Sequence, residues 1–374
     1  MGKRYLLVTA SVGSGHEKAA KAIADGIVNS QPEAQVDIVD FMRWDISAVN
    51  AFMKSAYLNM LFFVPNLYEF MYQFTAGKKK GGFIQMVMAK AMARSIKRLI
   101  KSYRPDVIIC THPFPAEAVS HLPASWRKDF LAVAVITDYS VHQMWVCHNM
   151  NMYFVACDSM KKQLINDGID GEKVHVTGIP VNQQFLIRPD RSECQRNFQL
   201  EKNVPAVLMM GGGLGLGGME RALEQIESLQ DTIQLLVVAG HNKELLQQAQ
   251  QYAKSSHHRI HIFGYTNEVR ELMASADILI TKPGALTLTE AMTMHLPMVL
   301  HEPIPGPETD NARYMSSCGA AVWLHAGDNL ASVLQELLAE PETLREMAAC
   351  AAKNSKPEAV QNILLNINAT NCIK

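Results

Sequence analysis

Short apolar runs recur along the whole chain, each followed by a polar or amphipathic stretch. In the first half they fall at residues 5–10, 36–39, 107–110, 131–137, 153–156 and 174–177. In the second half they fall at 206–210, 235–239, 260–263, 278–281, 298–300 and 321–323. Their apolarity is near-continuous rather than alternating, which suits strands buried on both faces in parallel sheets. The stretches between them, such as 18–29 and 244–253, read as helical. Each half is therefore expected to form its own doubly wound α/β sheet. The charged segment 188–201, which contains Pro189, is the expected linker.

Parallel sheets bind ligands beyond the carboxyl ends of their strands. After residue 10 comes Ser11-Val12-Gly13-Ser14-Gly15-His16, with a helix expected from about Glu17. After Met210 comes Gly211-Gly212-Gly213-Leu214-Gly215-Leu216-Gly217-Gly218, again ahead of a helix. Glycine lets backbone N–H groups approach an anion, and a helix N-terminus favours negative charge. Both loops suit phosphate or sugar oxygens. The second also fits GxGxxG, but a dinucleotide site needs an acidic residue at the end of the next strand. That strand ends at Ala239-Gly240-His241, so the reading is set aside. No Gly-Lys-Ser/Thr follows either cluster, which excludes a Walker A loop.

A third candidate is Thr281-Lys282-Pro283-Gly284-Ala285-Leu286-Thr287-Leu288-Thr289-Glu290. Gly284 and a helix start offer a further anion site. Glu290 lies where a carboxylate accepts two hydrogen bonds from a ribose, or simply complements a helix N-terminus. The loop beyond it carries Pro303, Pro305, Gly306, Pro307, Glu308, Thr309, Asp310 and Asn311.

Composition narrows the class. The chain has 374 residues, 48% hydrophobic and 19% charged, an ordinary globular mix large enough for two domains. A net charge of -1 argues against coating nucleic acid through overall charge. Seven dispersed cysteines without CxxC spacing suit a reducing compartment. No apolar run approaches 18 residues and no signal-peptide layout precedes the first strand, so a cytoplasmic protein is expected.

The near-neutral total hides one asymmetry. Residues 52–74, including Phe62 and Phe63, are crowded with aromatic and aliphatic side chains and carry only Lys54 and Glu69 as charges. Residues 77–104 then hold nine positive charges and no acidic one: Lys78, Lys79, Lys80, Lys90, Arg94, Lys97, Arg98, Lys101 and Arg104. Ile84, Val87, Met88, Ala91, Met92, Ile96 and Leu99 keep helical spacing among them. Two readings stand: a basic amphipathic helix on an anionic leaflet, or a core helix with a solvated basic face.

The motifs taken together carry a family resemblance. The stretches are 10–16, 111–113, Thr137-Asp138 with His142 and Trp145, 176–181, 210–218 and 276–290, continuing to Asn311. In them the chain resembles GT-B glycosyltransferases of the group containing plant monogalactosyldiacylglycerol synthases and bacterial processive diacylglycerol glucosyltransferases. It is more distantly similar to the N-acetylglucosaminyl transferase that forms lipid II.

The resemblance implies an α/β GT-B fold, with two Rossmann-like doubly wound domains facing a cleft. Residues 1–188 would form the acceptor and membrane-binding domain, 189–355 the UDP-sugar-binding domain, and 356–374 a helix packing back on the first. It implies inverting transfer of a hexose from UDP-glucose or UDP-galactose to the hydroxyl of diacylglycerol. The UDP-sugar is the donor substrate, with no obligatory cofactor or metal. The implied partners are diacylglycerol or a related lipid and an anionic membrane surface, without nucleic acid. The implied location is the inner face of the cell membrane, held peripherally.

Such a displacement needs a base for the acceptor proton and a means of holding the departing diphosphate. His16 is the candidate base, with Asp138 as rival base or as the group orienting a histidine. The resemblance places Gly15, Gly212, Gly213, Gly215, Lys282, Gly284, Ala285, Leu286 and Thr287 around the donor. It sets Glu290 on the ribose, Phe263, Gly264 and Tyr265 at the uracil, and Glu308 and Asn311 on the sugar. On the acceptor and membrane side it points to Phe62, Phe63, Lys79, Lys80, Arg94, Lys97, Arg98, His142 and Trp145.

Three positions depart from the pattern. Pro307 stands where relatives commonly carry Gln, Asn151 where they often carry Asp, and Leu214 where near relatives have a polar residue. The first bears on sugar identity. Alternative readings are a lipid-linked polyprenyl acceptor, a UDP-sugar epimerase, or a non-catalytic nucleotide-sugar-binding protein. The joint presence of His16, Asp138, Glu290 and Glu308 disfavours the last, since a binding module needs no base.

Overall fold

In the computed structural model, residues 2–10, 15–44, 83–211, 218–301, 303 and 306–371 are described. They form two compact units. The first holds β1 (Arg4–Thr9), β2 (Gln35–Asp40), β3 (Val107–Cys110), β4 (Leu131–Val135), β5 (Met152–Val155) and β6 (Val174–Val176). The second holds β7 (Ala206–Met210), β8 (Gln234–Val238), β9 (Arg259–Phe263), β10 (Ile278–Thr281), β11 (Met298–Leu300) and β12 (Ala321–Trp323). Every apolar run expected as a strand is one. All residues of β3, β4, β7 and β8 are buried, and apart from Gln234 they are apolar, as strands covered on both faces require.

Both sheets are wholly parallel, but their orders differ. The first runs β2-β1-β3-β4-β5-β6 and the second β12-β11-β10-β7-β8-β9. The chain reverses its winding between β1 and β3 in the first unit and between β7 and β10 in the second. Those reversals are where crossover helices diverge and leave a crevice at the carboxyl ends. The loops after β1 and β7 and the turn after β10 all lie at these points.

The first unit's core draws on both ends of the chain. Helix Gly15–Ser30 buries Ala19, Ala20, Ala22, Ile23, Gly26 and Ile27. Helix Ala359–Asn371 buries Val360, Ile363, Leu364 and Ile367 in the same cluster as Tyr5, Leu7, Val107 and Val133. A Cβ on Gly26 would sit 2.3 Å from Val360 Cγ1, so a glycine is needed for this approach. Gly178 has a φ of +93°, and a Cβ there would lie 2.6 Å from Lys356 Cβ.

Two expectations change. The segment expected as a linker contains helix Arg191–Asn197, which packs against helix Val269–Ser275 in the second unit. Asp190 caps it through Glu193 N at 2.8 Å, Cys194 is buried, and Arg191 bonds Ala276 O and Asp277. The signal was the Asp190-x-x-Glu193 spacing, a helix-start pattern that charge content obscured.

The basic segment also resolves. Helix Phe83–Tyr103 buries Met92, Ser95, Ile96 and Leu99 and packs against helix Pro113–Ser120. From Met92 to Leu99 the apolar stripe is buried in the protein, while the side chains of Ile84, Val87, Met88 and Ala91 lie outside the described residues. Arg94, Arg98, Lys101 and Arg104 are exposed, and Lys97 and Lys101 lie 5.3 and 5.7 Å from the Trp126 ring centroid. Phe62, Phe63, Lys79 and Lys80 lie outside the described residues. Among those described, no helix is long and apolar enough to cross a membrane.

Candidate functional site

At the first unit's reversal point, Gly15 opens the helix that carries His16. The His16 ring is half-buried and reaches the ends of β3 and β4. Its Nδ1 lies 2.9 Å from Thr111 O and 2.6 Å from Thr137 Oγ1. In return Thr111 Oγ1 donates to His16 O at 3.1 Å. A carbonyl oxygen only accepts, so Nδ1 carries the proton and Nε2 keeps its lone pair. Burial pushes the His16 imidazole below its ordinary pKa, against the opposing pull of Asp138 and the Thr111 carbonyl. Asp138 itself sits half-buried just beyond β4.

His112 joins this group, and the site residues read from the sequence did not include it. Its ring meets that of His16 edge-on at 4.7 Å between centroids. Its Nδ1 accepts from Phe114 N at 3.1 Å and caps helix Pro113–Ser120. Protonating that nitrogen would break the cap and put a cation at a helix N-terminus. Burial and the neighbouring His16 hold its pKa well below the ordinary value. His112 is thus a neutral ring beside His16. The Thr111–Pro113 motif was the available signal.

His142 and Trp145 lie farther along. His142 Nδ1 accepts from Met144 N at 3.3 Å and caps a short turn, while Trp145 is buried. The His142 bond therefore holds the backbone after β4.

The second unit's reversal point is built differently. Thr281 Oγ1 donates to Met210 O at 2.7 Å, joining the ends of β10 and β7. Gly284 then opens helix Ala285–Thr293 without a side-chain cap. The amides of Ala285, Leu286 and Thr287 fall in its first turn, where no intrahelical acceptor exists. Gly218, at a φ of 64°, opens helix Met219–Ile226, also without a side-chain cap. Gly212, Gly213 and Gly215 lie outside the described residues.

Lys282 Nζ lies 2.6 Å from Glu308 Oε1, both side chains largely buried. The Glu308 carboxylate also faces Gly284. Asn311 is fully buried and donates to Pro283 O at 3.2 Å, holding the turn that presents Lys282 and Gly284. Glu290 is buried within helix Ala285–Thr293. At the ends of β8 and β9, Tyr265 stacks on His241 at 4.4 Å, and Phe263 packs edge-on against Phe198. Gly264 approaches Gly240 O.

One other cluster has a metal-like donor set. Ligand atoms of Glu227, His257 and His258 lie within 4.8 Å of one another. Each is already engaged: His258 Nε2 with Ile226 O, His257 Nε2 with Leu229 O, and Glu227 with Ser256 and His257 Nδ1. Burial opposes ionisation of Glu227, yet hydrogen bonds from Ser256, Tyr252 and His257 bring its carboxyl down to about 2. The cluster ties the end of helix Met219–Ile226 to the segment before β9.

Residues 16–181 match the family model for monogalactosyldiacylglycerol (MGDG) synthase, and residues 206–363 match the glycosyltransferase family 28 C-terminal domain. The chain is a glycosyltransferase whose two halves match these two families in turn.

The glycosyltransferase is similar to the processive diacylglycerol beta-glucosyltransferases of Bacillus cereus (strain AH187) and Bacillus anthracis (strain A0248). Each is 28% identical over 372 residues, covering 99% of this chain and 95% of the relative. Among solved structures it resembles MurG of Acinetobacter baumannii, at TM-score 0.67 and 17% identity over 98% of this chain and 100% of that one. It also resembles S. aureus MnaA solved with UDP, at TM-score 0.67 and 13% identity over 100% and 98%. At these identities the likeness concerns the fold. The expected GT-B class of two Rossmann-like doubly wound units holds.

Proposed function

We propose that this glycosyltransferase moves glucose or galactose from the UDP-sugar to the hydroxyl of diacylglycerol, with inversion. The observation that carries the reading is His16, whose Nδ1 proton is committed to Thr111 O. Its Nε2 is left to accept a proton. The acceptor oxygen attacks the anomeric carbon, its proton passes to His16 Nε2, and the bonding pair of the sugar–phosphate bond leaves with UDP. Neutral His112 beside it adds no competing positive charge in the resting state, and Asp138 favours the imidazolium once formed.

In this reading the second unit answers the leaving group. Amides at the Gly284 and Gly218 helix starts, with Lys282, take up charge developing on the diphosphate. Glu290 accepts from the ribose, Glu308 from a sugar hydroxyl, and the backbone at 263–265 edges the uracil. Asn311 acts through the Pro283 turn. The names of the bacterial relatives support diacylglycerol as acceptor and glucose as the sugar. The exposed Arg94, Arg98, Lys101 and Arg104 support electrostatic adsorption to an anionic leaflet.

The test is incubation with labelled UDP-glucose, UDP-galactose or UDP-N-acetylglucosamine and vesicles containing diacylglycerol. A β-linked glycolipid from an α-linked donor is expected, and absence of glycolipid with every donor overturns the reading. His16→Ala is expected to lower turnover by at least about 100-fold while UDP still binds. Full turnover in that variant removes His16 as base.

A further inference from the structure

The second unit has a cavity at the end of its sheet opposite the glycine loops. Ala276 and Asp277, just before β10, and Leu296 and Pro297, just before β11, form part of its wall. Further lining comes from Arg188, Pro189, Arg191, Met294 and His295, the helix ending at Ser275, and helix Pro341–Asn354. Its volume is about 530 Å³, within the range of small-molecule sites. Met273, Met294 and Leu296 make a buried apolar floor, with Leu344 and Ala348 beside them.

Three arginines and one aspartate line this space. Arg191 is paired with Asp277 at 2.6 Å, and Arg345 with Glu342 at 2.6 Å. Arg188 differs. Its Nη1 lies 2.8 Å from His295 Nδ1, and among the described residues it has no carboxylate partner. A guanidinium only donates, so His295 Nδ1 accepts and the imidazole is neutral, with its N–H on Nε2. His295 holds a left-handed backbone, φ 55°, a region in which His is enriched over most other non-glycine residues. The exposed Arg188 guanidinium is thus left without a carboxylate at the mouth of a cavity with an apolar floor. Beside the mouth, Ile187 is 72% exposed.

We infer that this cavity binds a monoanionic amphiphile, one negative charge on an aliphatic chain, with the charge at Arg188 and the chain over Met273, Met294 and Leu344. One guanidinium without a carboxylate suits a single charge, and the buried floor suits methylenes. The site is separate from the donor loops, which lie at the other ends of the same strands.

The experiment titrates the full-length protein with decanoate, acetate and neutral decyl maltoside by calorimetry. A parallel arm uses phosphatidylcholine vesicles with and without oleate. Saturable decanoate binding is expected, at least about 10-fold tighter than acetate or decyl maltoside. Arg188→Gln and, separately, Ala348→Phe should each weaken it at least about 10-fold, with UDP binding unchanged as the control for folding. Binding in solution assigns a free carboxylate. Arg188-dependent binding seen only with oleate vesicles assigns a membrane-held anion. Decanoate binding unchanged in both variants, or no binding in either arm, overturns the inference while leaving the transferase reading intact.

Discussion

The two units share an architecture and differ in what they place at the reversal of winding. Between β1 and β3 the first unit gathers titratable side chains: His16, His112 and, nearby, Asp138. Between β7 and β10 the second gathers glycines and helix starts without side-chain caps, with Lys282 and Glu308 as an ion pair. In the proposed reading, the same crevice geometry serves proton transfer in one unit and anion binding in the other. What differs is whether the residue after the strand brings a functional side chain or exposes backbone amides.

The largest test of this comparison removes the last helix. Val360, Ile363, Leu364 and Ile367 are buried in the first unit's core, and each such side chain contributes roughly 1.5–3 kcal/mol. Truncation before Ala359 should abolish hydrogen-exchange protection in β1–β6, with β7–β12 still protected. Equal protection in both sheets would show that the first core does not depend on its distant segment.

The next effect is on acid stability. His301, after β11, is buried with no partner for Nε2 among the described residues, and burial lowers its pKa to about 4. Above its ordinary value near 6.5 the folded and unfolded forms are both neutral, so it carries no penalty there. Between 6.5 and 4 only the unfolded chain takes the proton, and stability falls by up to about 3 kcal/mol. His301→Leu should flatten that part of the pH dependence, measured by urea unfolding at pH 7 and pH 4.5. An unchanged slope would rule out His301 as its source.

Gly26→Ala should cost about 1–3 kcal/mol through the clash with the stiff Val360 side chain. The unfolding midpoint reports it, and a neutral result would mean that the two helices separate without loss. The smallest stability effect is expected on the basic face. Arg94→Glu with Arg98→Glu should alter stability by less than about 1 kcal/mol yet reduce adsorption to anionic vesicles several-fold at low salt. Adsorption unchanged by this reversal would remove that face from the membrane reading.

The acid limb of turnover sharpens the first unit's role. A base with a lowered pKa stays deprotonated to more acidic pH than a free imidazole, so the limb should lie below 6.5. Asp138→Asn removes an opposing carboxylate and should shift the limb further down. A shift upward would contradict the assignment.

Much of this was legible along the chain. Twelve apolar runs marked the strands because strands buried on both faces admit little else. Glycines before helices marked the loops at the two reversals of winding, and His16 stood out as the side chain following the first of them. His112 was harder to see, since its role depends on a ring 4.7 Å away that belongs to a residue 96 positions earlier. The basic helix divided the two readings because periodicity reveals an apolar stripe without saying what covers it. Burial of Ile96 and Leu99 decided that point.

Local pattern alone therefore determined element type, the two-sheet organisation and the chemistry available after each strand. Strand order, the tautomer set on His16 by Thr111 O, the Lys282–Glu308 pair and the Arg188–His295 contact were decided only by the tertiary structure. The reason is physical. Backbone propensity and burial are properties of neighbouring residues, whereas a proton's position or a charge's partner depends on groups brought together from distant parts of the chain.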